Sequence, residues 1–389
     1  GRHAVVLERE SFPRFHIGES LLPMSCEIFD KLDLRERLED EYLRKYGAVF
    51  VCDRTGAERE YLFSEAFDRR YPYAYQVPRA SFDKLLLDRA GELGADVRQP
   101  FKVDEIVFDG ERAVGVRATS PEGGAVELSA PVIVDGSGRG SMLASRFNGK
   151  SRIAGLDTTA IFAHFRGFER GQGHAEGHVH IVMFEHGWMW FIPFRGDTTS
   201  VGVVASRAWM QQRQPGEAMA DFFSRTLATS PWASRKLASA EVVGEVRATA
   251  DFSYAVRRIA GAGWLCVGDA CGFIDPLFSS GAHLAIKGAD VAADAIDSTL
   301  AGRANNGDAF AHYERVMRDA SGLFLGVVQR FYDGSFRELL FAENQRRVIR
   351  CVITSMLSGD VVHPKRAPAW LRYVRSNYPP MEAAAADPS

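Results

Sequence analysis

Cysteine is scarce and unpatterned in this chain. Five occur in 389 residues, at Cys26, Cys52, Cys266, Cys271 and Cys351, and their spacing fits neither a tetrahedral metal site nor a disulfide framework. That pattern points to a reducing, cytoplasmic setting. A dominant sign of charge is also lacking. Forty-seven lysines and arginines face 50 acids, a net charge of -3, so there is no electrostatic case for binding nucleic acid or an anionic membrane. No apolar run reaches the length of a bilayer-spanning helix, no signal-peptide pattern opens the chain, and no internal repeat or long low-complexity linker interrupts it. A hydrophobic share of 46% with 25% charged residues is that of a globular protein, long enough for two or three domains with large cores.

One further absence is local. Ala4-Val5-Val6-Leu7-Glu8 reads as a buried parallel strand that ends in an acid. In a dinucleotide-binding βαβ unit such an acid holds the ribose hydroxyls and follows a Gly-rich turn by about 20 residues. No methionine and no Gly-x-Gly-x-x-Gly turn precede this strand. The expectation is a cofactor domain whose first strand, turn and helix lie outside this sequence, with Glu8 as the ribose ligand.

The rest of the chain supplies the remaining elements. Helical periodicity runs over 21–38 (Leu21, Leu22, Ile28, Phe29, Leu32, Leu34, Leu38). Ser81 reads as an N-cap for a helix over 82–93 that stops at Gly94. Short strands are predicted at 96–98, 103–108, 113–118 and 130–135. Residues 155–250 read mostly as strands, interrupted by one helix at about 215–227. A buried strand at 264–267 leads into an Ala-rich helix over 281–300, and 308–357 is helical. This order predicts an α/β fold in which a Rossmann-like dinucleotide-cofactor domain is split in sequence (1–45, 76–154 and 255–303). A mixed or antiparallel substrate sheet is inserted (46–75 and 155–254), a helical region follows (304–378), and 379–389 form a disordered tail.

Two segments carry the chemistry. Gly187-Trp188-Met189-Trp190-Phe191-Ile192-Pro193 places two tryptophans at i and i+2. On a strand these share a face, which predicts one flat aromatic wall. Val267-Gly268-Asp269-Ala270 comes straight off a strand: the carboxylate can accept from a ribityl hydroxyl, and Gly268 lets the backbone approach closely. Gly272-Phe273-Ile274-Asp275-Pro276-Leu277-Phe278-Ser279-Ser280-Gly281 then opens the Ala-rich helix, whose N-terminal N–H groups favour an anion.

With these motifs the chain resembles the flavin-dependent halogenases of the FAD monooxygenase-like superfamily. The resemblance rests on Gly18-Glu19-Ser20-Leu21-Leu22-Pro23, Val77-x-Arg79-x-x-Phe82-Asp83, the Trp188–Pro193 segment and Phe273-x-x-Pro276-x-x-Ser279-x-Gly281, and runs from residue 1 to about 340. The Gly268-Asp269 pair is shared with monooxygenases and reductases, whereas Trp-x-Trp-x-Ile-Pro points to halogenation. The resemblance implies FAD held by Glu8, Arg79, Gly268, Asp269, Pro276 and Gly281, reduced by a separate flavin reductase and reacting with O2. It implies chloride or bromide held by the backbone of Ser280 and Gly281. Trp188, Trp190, Ile192 and Pro193 would keep organic substrate away from the flavin. Hypohalous acid would travel to Lys45, in Leu43-Arg44-Lys45-Tyr46-Gly47, to be aimed or bound as a chloramine.

One departure narrows the substrate. Tryptophan halogenases carry a glutamate where this chain has Phe278, so the resemblance implies a more electron-rich phenol or pyrrole, free or tethered to a carrier protein. Two rival readings share parts of the pattern. An FAD-dependent aromatic monooxygenase or a prenyl or polyketide reductase has counterparts of Glu8, Arg79 and Asp269 but not of Trp188, Trp190 and Lys45. A noncatalytic truncated remnant is the other. His174, His178, His180 and His186 cluster, yet no metal is expected, because flavin halogenation needs none. Cys266 and Cys271 read as buried small hydrophobes rather than a redox pair. The aromatics between Phe310 and Phe341 read as a core face over the substrate pocket.

Overall fold

A computed structural model describes residues 2–147, 149–250, 252–304, 306–377 and 379. Its centre is a seven-stranded sheet, in the order Glu241–Ala250, Thr158–Arg166, Thr198–Ser206, Gly187–Pro193, Val179–Phe184, Gly47–Cys52 and Ala57–Leu62. Neighbours run antiparallel except Val179–Phe184 beside Gly47–Cys52, which are parallel. The two strands from the 46–75 segment thus complete a sheet built otherwise from residues 158–250.

The sheet is covered on both faces, so its central strands are apolar at successive positions instead of alternating with polar ones. One face carries Phe50, Phe162, Ile181, Trp188, Trp190 and Ile192 into the main core. The other carries Val51, Ile161, Val182, Met189 and Phe191 into a second core. That core is closed by the helices Met219–Ala228 and Pro231–Lys236 through Phe222, Phe223 and Trp232.

Two parallel strand pairs lie apart from the seven-stranded sheet, on the side that carries Arg79 and Gly268. Val5–Leu7 pairs with Asp96–Arg98, and Ile133–Asp135 pairs with Trp264–Cys266. The two pairs are not hydrogen-bonded to each other. The helices Arg79–Glu92 and Ser280–Leu300 belong to this side, and Ser280–Leu300 packs on the 27-residue helix Asn306–Tyr332. Gly288 permits that approach, since a Cβ there would meet Met317 Cε at 2.8 Å. No helix among the described residues is long and apolar enough to cross a membrane.

Several local expectations change. The one helix expected at about 215–227 is three, Arg207–Met210, Met219–Ala228 and Pro231–Lys236, and the helical stretch 308–357 is broken into Asn306–Tyr332, Ser335–Phe341 and Arg347–Leu357. The periodic stretch 21–38 is not one helix but two, Cys26–Lys31 and Arg35–Glu41. They are parted at Asp33, whose left-handed backbone (φ 59°) no helix continues through. Ser81 is not an N-cap: the helix starts at Arg79, and Ser81 sits inside its first turn, donating to the Pro78 carbonyl at 3.0 Å. The tail expected over 379–389 lies, apart from residue 379, outside the described residues.

Register fixes the tryptophans. Trp190 lies opposite Gly202 on the neighbouring strand, where a Cβ would come within 2.1 Å of the indole. Gly202→Ala is therefore expected to destabilise the protein by about 1–3 kcal/mol through overpacking. The same change made on a Trp190→Phe background should cost markedly less. Equal costs in the two backgrounds, read by denaturant unfolding, would mean the indole is not what excludes a side chain at 202.

Candidate active site

The strand Gly187–Pro193 forms one side of a cavity of about 580 Å³. Trp188, Trp190 and Ile192 line it, whereas Met189, Phe191 and Pro193 do not, as the two-residue repeat requires. The expected wall is not flat. The two indoles are 5.9 Å apart at their centroids and tilted by 48°, because their N–H groups are drawn to different partners. Trp190 Nε1 donates to Ser200 Oγ at 3.1 Å, and Trp188 Nε1 donates to the Tyr332 hydroxyl at 3.0 Å. Pro193, grouped with the lining residues from sequence, falls on the opposite face.

The facing side comes from loops and helix starts outside the sheet. Gly18-Glu19-Ser20, Arg79, Gly268, Asp269, Pro276 and Gly281 all reach the cavity. Arg79 is held rigidly. It pairs with Asp83 at 2.6 Å and donates to the Ile17 carbonyl at 2.9 Å. Asp269 is half-buried, and desolvation pushes its carboxyl up, while Arg79 and Arg139 pull it back down. Gly268 turns the chain at φ 59°, a conformation that favours glycine. Ser279 adopts the left-handed region (φ 55°) just before the helix Ser280–Leu300. Through this bend Gly281 faces the cavity and Ser280 does not. Ser280 and Gly281 both line a second, mainly apolar cavity of about 210 Å³ behind the same loop.

Other expected site residues stand apart from the large cavity. Glu8 follows the strand Val5–Leu7, and its carboxylate accepts from the Glu10 N–H at 2.8 Å in a local turn. Lys45 is 2% exposed. Its Nζ donates to the Leu21 carbonyl at 3.1 Å and lies 5.3 Å from the centre of the Phe63 ring. Burial lowers its pKa to about 7. Leu21 directly follows the cavity-lining Ser20, so Lys45 sits one residue behind the lining. Phe278 is buried between Phe331 and Phe336, edge-on to both.

The histidines do not converge. His180 packs against the Trp232 indole in the second core, 5.3 Å between ring centroids, and His178 lies beside Glu60. Among the described residues no three His, Cys, Asp or Glu side chains group as a metal site. Cys271 Sγ donates to the Cys266 carbonyl at 3.0 Å, and burial pushes both thiols up.

Sequence reasoning gave no role to three residues that the fold brings here. Glu19 is 1% exposed and meets His164 Nε2 through Oε1 at 2.8 Å, while among the described residues its Oε2 and the Ser20 hydroxyl have no partner. Tyr332 and Asp275 join the Trp188 indole. Glu19 and Asp275 stood inside recognised motifs, but nothing local foretells that a tyrosine more than 140 positions away meets Trp188.

The family model for tryptophan halogenases matches residues 54–344. A tryptophan 2-halogenase of Chondromyces crocatus is 31% identical over 344 residues, covering 87% of this chain and 65% of that protein. A 1H-pyrrole-2-carbonyl-[peptidyl-carrier protein] chlorinase of Pseudomonas fluorescens Pf-5 is 28% identical, covering 94% and 86%. The structure of the myxobacterial chondrochloren halogenase CndH, described as a variant of FAD-dependent halogenases, superposes with a TM-score of 0.79 at 30% identity over 92% of this chain and 91% of that one. A tryptophan-lined cavity facing a Gly-Asp loop, in a chain matched by the family model over most of its length, belongs to a member of the tryptophan halogenase family of flavin-dependent halogenases.

Proposed function

We propose that this protein halogenates an electron-rich aromatic, a phenol or a pyrrole, with chloride or bromide, using FAD reduced by a separate flavin reductase. A buried lysine of near-neutral pKa beside the tryptophan-lined cavity carries this reading. A lysine so placed costs stability, because its charged form has left water for one backbone carbonyl. A role in chemistry accounts for it better than packing does.

The cavity's residues fit a flavin nucleotide. Asp269 offers a carboxylate to hydroxyls, Arg79 a fixed cation, and Gly268 and Gly281 close backbone approach. The unpartnered Glu19 Oε2 and Ser20 hydroxyl await polar groups. Bound and reduced, FAD activates dioxygen so that a halide is oxidised to hypohalous acid. This chain's own groups then act around it. The N–H groups at the positive end of this helix, where Gly281 faces the cavity beside Ser280, would hold the halide. Trp188, Trp190 and Ile192 exclude the aromatic substrate. At a pKa of about 7, Lys45 presents both forms near neutrality. Its ammonium donates to the hypohalous oxygen, or its amine takes the halogen and releases water. Lys45→Ala should lose halogenation by more than 100-fold, ~3 kcal/mol in the barrier, while binding FAD as the parent does. The assay uses FAD, a flavin reductase, NADH, O2 and bromide, with product read by mass spectrometry. Retained halogenation would remove Lys45 from the mechanism.

The same lysine predicts a pH signature. Its folded pKa of about 7 lies below the ordinary 10.5, so the unfolded chain binds more protons between these values and stability rises with pH across that window. Lys45→Met should therefore be the more stable protein below pH 7, by on the order of a few kcal/mol, with the gap closing as pH approaches 10.5. A gap constant with pH would place the ammonium in water.

Phe278 supports the substrate class. An apolar ring offers no base to a weakly activated indole, whereas a phenol or pyrrole activates its own ring. The names of two relatives, the Pf-5 chlorinase and a Pseudoalteromonas luteoviolacea brominase, specify pyrrole-2-carbonyl groups on a peptidyl carrier protein, which supports a tethered acceptor. Free tryptophan should give at most a few per cent of the product formed from an electron-rich phenol or a carrier-bound pyrrole. Comparable yields would overturn the assignment.

A further inference from the structure

We infer that Tyr332 and Asp275 are positioning residues that clamp the Trp188 indole to the halide-side loop and so direct the oxidant towards Lys45. The clamp is one chain of hydrogen bonds. Trp188 Nε1 donates to Tyr332 Oη at 3.0 Å, Tyr332 donates to Asp275 Oδ2 at 3.0 Å, and Asp275 Oδ1 accepts the Leu277 N–H at 2.9 Å. An indole N–H can only donate, so the phenol must accept it and aim its own proton at the carboxylate. With Asp275 ionised, this fixes the polarity of the chain. Asp275 is 1% exposed, and burial raises its pKa to about 7. The Tyr332 phenol is pushed well above its ordinary value and stays protonated.

Three parts of the fold meet in this chain. Trp188 is on the cavity-lining strand, Asp275 precedes Pro276 and the bend at Ser279, and Tyr332 ends the helix Asn306–Tyr332. Phe331, its neighbour, and Phe336, just beyond, hold Phe278 edge-on. The end of one long helix therefore fixes both the indole that lines the cavity and the loop that leads to Gly281. Such fixing matters because a misplaced boundary lets the electrophile or its precursor escape.

The inference rests on the halogenase reading, and the outcome can be written as balanced reactions. Productive turnover is FADH2 + O2 + HX + ArH → FAD + ArX + 2 H2O, and leakage is FADH2 + O2 → FAD + H2O2. Tyr332→Phe removes one hydroxyl and leaves the ring. Halogenated product per FADH2 oxidised should fall by about tenfold or more, with H2O2 and free hypohalous acid (FADH2 + O2 + HX → FAD + HOX + H2O) together making up the difference and with FAD affinity and flavin reoxidation rate unchanged. Trp188→Phe should lower the same ratio, and the double variant should be no worse than the poorer single one. An unchanged ratio, or independent losses that multiply, would overturn the clamp. A role in stability alone would lower FAD affinity and turnover together and leave the ratio intact.

A second readout needs no flavin. Unfolding midpoints of the FAD-free parent, the two single variants and the double variant should be non-additive, whereas additive shifts would overturn the clamp. If the parent yields no halogenated product with either halide, the functional reading fails, and this cycle still decides whether the clamp exists. Should Tyr332→Phe not fold, Asp275→Asn, which has one acceptor for two donors, takes its place in both measurements with the same expectations.

Discussion

Every feature of the site depends on one strand being buried on both faces. In Gly187–Pro193 the even-numbered side chains Trp188, Trp190 and Ile192 border the cavity, and Met189 and Phe191 anchor the strand in a separate core against Phe168, Phe222 and Trp232. Neither set can shift without moving the other, because a one-residue slip would exchange the faces. Close packing on the far side thus holds the indoles where the cavity needs them, and Gly202 removes the side chain that would otherwise occupy the space of Trp190.

Several polar groups near that strand are withdrawn from water. Lys45, Glu19 and Asp275 are buried and Asp269 is half-buried; desolvation lowers the pKa of Lys45 and raises those of the two aspartates. Each weakens the folded state unless a partner compensates. Asp275 has two donors, Lys45 one carbonyl acceptor, and Glu19 one histidine, with an oxygen left over. The degree of compensation separates them. Asp275 is well satisfied and holds structure together, while Lys45 and Glu19 keep hydrogen-bonding capacity to spare.

The C-terminal helices serve the site as well as the core. Asn306–Tyr332 packs along Ser280–Leu300, the helix whose start faces the cavity, and its last residues Phe331 and Tyr332 contact the loop before that start. Ser335–Phe341 then returns over the strand Ala57–Leu62, where the Tyr61 hydroxyl donates to the Leu340 carbonyl at 2.8 Å. Phe63, next along from that strand, lies against the Lys45 ammonium. The aromatic residues of this stretch are therefore both core and boundary.

How much of this was legible in sequence depends on the range of the interaction that decides it. Short-range signals sufficed for the strand of Trp188 and Trp190, for Gly268 and Asp269 after a strand, for Gly94 as a helix stop, and for the family, because each is written in side-chain period or in a contiguous motif. Local rules misled where local geometry had the last word. Asp33 split a stretch whose apolar spacing looked continuous, and the helix after Pro78 began before Ser81. The tilt of the two indoles, the withdrawal of Lys45 behind Ser20 and Leu21, the pairing of Glu19 with His164 and the junction of Trp188, Tyr332 and Asp275 had no local signature. They arise from contacts between residues tens to hundreds of positions apart. The sequence by itself determined which side chains share a strand face and which loops can bend, since those follow from backbone stereochemistry and spacing. Only the tertiary structure decided which buried groups found partners and which were left waiting, since that depends on which distant surfaces are pressed together when water is excluded.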